Sequence, residues 1–168
     1  GENLALVNVG ASTINMNILK GGVSVFTRDS SVGGNLLTEA LQKEFTISYD
    51  NAEKLKRGEA VEGIPQEEVA SVLISASEEI IAEISRSFDY FKSTTGNEDI
   101  KEVIFSGGGA LVKDFAPLLS ERVGVSARFI EPFRNIKIPD SFDKGYLKKI
   151  EPIMSVAVGL ALRRIGDR

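Results

Sequence analysis

Residues 4–29, LALVNVGASTINMNILKGGVSVFTRD, decide how this chain is read. Three runs, 4–10, 14–20 and 23–29, alternate or cluster apolar side chains, and each is long enough for a strand. The breaks between them, Ala11-Ser12-Thr13 and Gly21-Gly22, leave room only for reversals, which makes a three-stranded antiparallel meander. The bend Gly10-Ala11-Ser12-Thr13 carries little side chain to screen its backbone. Such a bend can turn N–H groups and two hydroxyls toward a terminal phosphate. A plain tight hairpin has the same composition, so the bend alone does not distinguish a site from a turn.

Outward from this sheet, Gly33-Gly34 breaks the strand pattern, and Leu36, Leu37, Ala40, Leu41 and Phe45 recur at helical spacing behind an Asn35 cap. Ser48 is placed to cap a second helix, Tyr49 to Arg57, which Gly58 ends. Pro65, at a first helical position before Gln66, Glu67 and Glu68, opens the longest helix. Its inner stripe is Val69, Val72, Leu73, Ala76, Ile80, Ile84, Phe88 and Phe91. Glu102 to Phe105 reads as a buried strand, Gly107-Gly108-Gly109 turns it, and Ala110 to Val123 reads as the returning helix. Ala127 to Ile130 is a further short strand, and Pro132 to Gly145 is a connection without a clear period. Ile153, Val156, Ala157, Leu160, Ala161 and Ile165 mark a final amphipathic helix. Ala157, Gly159 and Ala161 leave that helix small on one side, so it can lie close to another backbone.

Composition removes several function classes. The chain has 168 residues, 42% of them hydrophobic, no histidine, no cysteine and a formal net charge of −4. Without histidine or cysteine there is no Ser-His-Asp or Cys-His route to nucleophilic catalysis, and the usual zinc sites are closed. A net negative charge argues against a general nucleic-acid surface. No apolar run approaches the roughly 18–20 residues that would span a bilayer. The chain opens on no signal peptide and carries no disulfide, which points to the cytosol.

Two further features could carry chemistry. A turn at Gly107-Gly108-Gly109 that opens a helix would offer free N–H groups to an anion and bare backbone to a flat base. Glu53 and Lys56 are three residues apart and share a helix face, where a carboxylate and an ammonium could take ribose hydroxyls or merely pair with each other.

The order of these features resembles the second half of the actin-like ATPase fold. The narrower wording resembles the PilM family of type IV pilus assembly proteins. It lies in residues 5–12 (ALVNVGAS), 26–29 (FTRD), 32–35 (VGGN), 52–56 (AEKLK), 131–133 (EPF) and 156–163 (VAVGLALR). The resemblance implies an α/β, ribonuclease H-like domain, a mixed sheet flanked by helices with a small inserted subdomain. Residues 1–35 and 98–168 would form subdomain 2A, and 36–97 a largely helical subdomain 2B. Asn8, Gly10, Ala11, Ser12 and Thr13 would belong to the second phosphate loop. Glu53 and Lys56 would be the ribose pair, and Gly107, Gly108, Gly109 and Ala110 would form the adenosine loop. The final helix, Met154 to Arg164, is similar to the segment returning toward the other half.

The resemblance also implies ATP with Mg2+ as the ligand of the intact protein, and no tight binding by this half alone. Implied partners are the cytoplasmic tail of PilN, held by the first domain, and the pilus motor ATPases. Self-association, no nucleic acid, no direct membrane insertion and a cytoplasmic place beside the inner membrane complete that expectation. The counterpart of the first half does not occur in this sequence. Where the superfamily's second phosphate loop has a carboxylate this chain has Asn8, an amide that orients water but carries no charge. A nucleotide-binding scaffold is therefore expected over an efficient ATPase, with no catalytic and no metal-ligating residue. A phosphotransferase and an FtsA-like filament protein are the alternatives.

Overall fold

The computed structural model describes residues 1–164, so Ile165, expected in the last helix, lies outside the described residues. Five strands, β1 (Asn3–Val9), β2 (Ile14–Lys20), β3 (Val23–Ser30), β4 (Ile100–Ser106) and β5 (Ser126–Phe129), form one sheet in the order β3-β2-β1-β4-β5. The three-stranded half is antiparallel, as the reversals at 11–13 and 21–22 require, and β4 and β5 add to it in parallel. The register pairs Asn8 with Asn15 and Asn15 with Asp29 on one side, and Asn8 with Ser106 on the other. Four polar residues thus stand in one row across four strands.

Alternation decides which face is covered. Ala5, Val7 and Val9 of β1 and Ile14, Met16 and Ile18 of β2 are buried, while the intervening residues are not. The buried face packs with helices α1 (Asn35–Phe45), α2 (Tyr49–Lys56), α3 (Gln66–Thr94) and α4 (Phe115–Val123) into a shared core. Helix α3 has no side-chain cap bond. Its hold is the buried stripe of Val69, Leu73, Ile80, Ile84, Phe88 and Phe91, with Val72 and Ala76 half-buried against it. Each such side chain is worth about 1.5–3 kcal/mol when fully buried, against roughly 0.5–2 kcal/mol for a cap, so packing outweighs capping here.

Several local expectations change. Asn35 is the first residue of α1 and not its cap, because Gly34 takes the cap position and the Asn35 N–H is donated to Ala11 O at 2.7 Å. Pro65 sits at the cap of α3 in an extended conformation, and the helix begins at Gln66. The returning helix does not start at the glycine turn. Gly108–Ala110 is a single 3-10 turn, and α4 begins only at Phe115. The connection from Pro132 ends in a helix the periodicity did not show, α5 (Lys144–Ile150), capped by the Asp143 carboxylate on the N–H groups of Gly145 and Tyr146. The final helix shrinks to α6 (Ser155–Ala161), in which no residue is buried.

Helix α3 is also pinned to β3 by charge. Glu83, buried, meets Arg86 at 2.6 Å and Arg28 at 3.6 Å, and the Arg28 guanidinium lies 5.5 Å from the Tyr90 ring centre. Burial pushes the Glu83 carboxyl up, but hydrogen bonds from Arg86 and Ser30 and the charges of Arg86 and Arg28 outweigh it and hold it below its ordinary value. A lowered carboxyl stabilises the fold above its unfolded pKa and ceases to do so as pH falls through the folded one. Glu83→Gln is therefore expected to cost about 1–2 kcal/mol at neutral pH, roughly 2–8 °C in melting temperature. The gap from the parent should close on acidification below the carboxylate range. A gap that stays constant with pH would assign the loss to packing.

Candidate functional site

Three glycine-bearing segments from distant parts of the chain interlock at the end of β1. The Gly34 N–H donates to Gly10 O at 2.8 Å, and the Asn35 N–H to Ala11 O at 2.7 Å. A Cβ on Gly34 would lie 2.9 Å from the Gly109 Cα, and one on Gly33 would lie 2.7 Å from Ala11 O. A Cβ on Gly109 would fall 2.8 Å from Gly10 O and 2.7 Å from Val9 Cγ1. Gly107, at φ 95°, would put its Cβ 2.2 Å from Val9 O. The bends at 10 and 108 therefore share one edge of the sheet, and only backbone fits between them.

Bend geometry settles which groups face outward. A trans peptide sets its N–H antiparallel to its C=O. With the carbonyls of Gly10 and Ala11 tied inward to α1, the N–H groups of Ala11 and Ser12 point the other way, and both residues are exposed. The Gly10 N–H is not among the outward donors, because it closes the bend on Thr13 O at 2.8 Å. Ser12 and Thr13, both exposed, bring their hydroxyls to the same bend.

In the second turn, Gly107, Gly109 and Ala110 are buried, while Gly108 between them is exposed. The single heavy atom that a Gly108 Cβ would approach within 4 Å is Ile153 Cγ2, at 3.7 Å. A three-residue 3-10 turn carries little dipole, so what this turn offers is bare, accessible backbone and not a helix terminus. The Gly107 N–H donates to Pro152 O at 2.9 Å, which ties the segment before α6 to the turn.

Glu53 and Lys56 share a face of α2, as their spacing requires, and they bond each other directly. Both also meet Thr38 of α1: the Lys56 ammonium donates to its hydroxyl at 2.7 Å, and that hydroxyl donates to the Glu53 carboxylate at 2.5 Å. Lys56 reaches Gly34 O as well, at 3.4 Å, so the pair is joined to the interlocked turns. Burial pushes the Glu53 carboxyl up, yet the bonds from Lys56 and Thr38 and the charges of Lys56 and Arg57 leave it below its ordinary value. Thr38, Gly33 and Gly34 were not among the site residues expected from the sequence, where Gly33-Gly34 was read only as a strand break and a motif of the resemblance. The available signal was a glycine pair directly before a helix, followed one turn later by a threonine on its apolar face.

Asn8 lies between the two bends. Ser106 Oγ donates to Asn8 Oδ1 at 3.0 Å, so this oxygen is turned toward β4. Among the described residues no group of three or more acidic side chains gathers to hold a metal ion. What this edge presents is outward N–H groups, two hydroxyls and bare glycine backbone.

A mixed sheet in this order, backed by helices and ending in interlocked glycine turns, defines the class: the actin-like ATPase fold. Three solved structures share it. Over 96% of this chain the PilM–PilN type IV pilus biogenesis complex superposes with TM-score 0.83 at 24% identity, covering 46% of that chain. The ethanolamine utilization protein EutJ from Carboxydothermus hydrogenoformans gives 0.68 at 19% identity, over 96% of this chain and 49% of that one. MreB 5 of Spiroplasma citri bound to AMPPNP gives 0.59 at 17%, over 96% and 56%. Within that class a family model described as type IV pilus assembly protein PilM matches residues 1–165, and the chain belongs to that family. It spans about half the length of the solved relatives it matches.

Proposed function

We propose that the chain forms one wall of an adenine-nucleotide site in a type IV pilus assembly scaffold. The phosphates lie on the outward N–H groups of Ala11 and Ser12 and the hydroxyls of Ser12 and Thr13. The ribose meets Glu53 and Lys56, and the base covers the exposed backbone of Gly108, within the turn Gly107 to Ala110. The observation that carries this reading is the approach of Gly34 to Gly10 and Gly109, which brings both bends to one edge. The likeness in fold to an AMPPNP-bound MreB supports it.

Asn8 supplies no charge to activate a nucleophile, and phosphoryl transfer needs a positioned base and a metal clamp. The site therefore holds nucleotide in preference to turning it over, and a magnesium ion arriving with ATP is held by the phosphates and the opposite wall. In the whole protein, the half of the relatives' length not covered here completes the cleft and grips the cytoplasmic tail of a PilN-like partner. Nucleotide state is then communicated to the motor ATPases on the cytoplasmic side of the inner membrane. No helix of the described residues is long and apolar enough to cross a membrane.

Calorimetric titration with Mg-ATP tests this. One wall lacks several charge-assisted hydrogen bonds of about 1.5–3 kcal/mol each, so residues 1–168 alone are expected to bind more weakly than micromolar. The protein carrying both walls is expected to bind far more tightly. Absence of binding by the two-walled protein would overturn the proposal.

A further inference from the structure

The row of polar residues across the sheet has a direction, and a single charge at its edge sets it. Asn15 Nδ2 donates to Asp29 Oδ1 at 2.9 Å, Asn8 Nδ2 to Asn15 Oδ1 at 3.4 Å, and Ser106 Oγ to Asn8 Oδ1 at 3.0 Å. An ionised carboxylate only accepts, whereas each amide has one accepting and one donating end. Asn15 must therefore turn its NH2 group to Asp29 and its oxygen to Asn8. Asn8 in turn must direct its NH2 group to Asn15, and its oxygen is left for the Ser106 hydroxyl. The reverse order would set the Asn15 oxygen against the Asp29 carboxylate with no proton between them.

We propose that Asp29 is a positioning residue: through Asn15 it fixes the Asn8 amide so that a hydrogen-bond donor, and no acceptor, is offered to the phosphate end of a nucleotide. This rests on the nucleotide reading above and deepens it. With its oxygen turned to Ser106 and one proton on Asn15, Asn8 keeps its second Nδ2–H for an anionic oxygen. An acceptor would instead call for a metal ion or its bound water. This wall therefore grips phosphate directly, and its contribution does not depend on magnesium.

The test uses the protein carrying both walls, with ATP and adenosine as probes, each titrated in Mg2+ and in EDTA. Asp29 and Asn15 are exposed, so Asp29→Ala and Asn15→Ala should keep the parent's melting temperature. Each is expected to weaken ATP binding about tenfold, the size of one lost hydrogen bond, equally in Mg2+ and EDTA, and to leave adenosine binding unchanged. Because both act through one amide, the double variant should lose no more than either single one. Asp29→Asn, which keeps an accepting oxygen, should restore most of the affinity. Parental ATP affinity in Asp29→Ala, additive losses in the double variant, or a loss seen only with Mg2+ would each overturn the inference while leaving the nucleotide reading standing. Failure of the parent to bind ATP would remove both.

Discussion

Gly107→Ala is expected to lose a large part of the fold's stability, about 2–6 kcal/mol. The added Cβ would sit 2.2 Å from Val9 O and 2.7 Å from Val9 C, which is backbone of the central strand and cannot swing aside. The residue is also held at φ 95°, outside what alanine accepts at low cost. Backbone strain of this kind costs about 1–3 kcal/mol and overpacking about another 1–3 kcal/mol. Relief would require β1 and β4 to part where Asn8 pairs with Ser106, in the middle of the sheet. The sum reaches the roughly 4–5 kcal/mol regarded as exceptional, against a total stability of about 5–15 kcal/mol for a domain. Soluble yield and a circular-dichroism melt report on it. A variant that melts within a few degrees of the parent would mean that the turn is far softer than its geometry states.

One residue along the chain, the expectation reverses. Gly108→Val should fold normally and lose nucleotide. Gly108 is exposed, its φ lies outside the left-handed range, and its Cβ position has an ordinary 3.7 Å neighbour in Ile153 Cγ2. Nothing in the fold resists a side chain there; what it would obstruct is the flat ring proposed to lie on that backbone. Forcing a branched side chain against a bound ring costs roughly 1–3 kcal/mol, about a 5- to 150-fold loss of ATP affinity in the two-walled protein. Unchanged affinity in a folded Gly108→Val protein would move the base off this turn. The strained position of this turn is Gly107, which leaves Gly108 as a clean probe of binding.

The neighbours differ for a reason that local sequence cannot carry. Three consecutive glycines look alike until the partners are known, and those partners are Val9 for Gly107, Val9 with Gly10 and Gly34 for Gly109, and little but Ile153 for Gly108. The same limit explains Asn35, whose helix-start composition suggested a cap although its N–H serves Ala11. It also explains the late start of α4: the turn is held by contacts with β1 and Gly34, not by a helix that follows it. Thr38 went unread because a threonine on the apolar face of an amphipathic helix has no signature until Glu53 and Lys56 close on it.

What the amino acids determined by themselves is what acts over a few residues. Strand alternation with small-residue reversals made the meander, i,i+3 spacing paired Glu53 with Lys56, and the order of short motifs placed the chain in its family. Convergence was decided by tertiary structure, because hydrogen bonds and close packing between residues 10, 34 and 109 depend on parallel addition of β4 to β1, a pairing with no local trace in either strand. The direction of the Asp29-Asn15-Asn8-Ser106 row has the same origin, since it exists only once register has lined up four strands and let one carboxylate orient three neighbours.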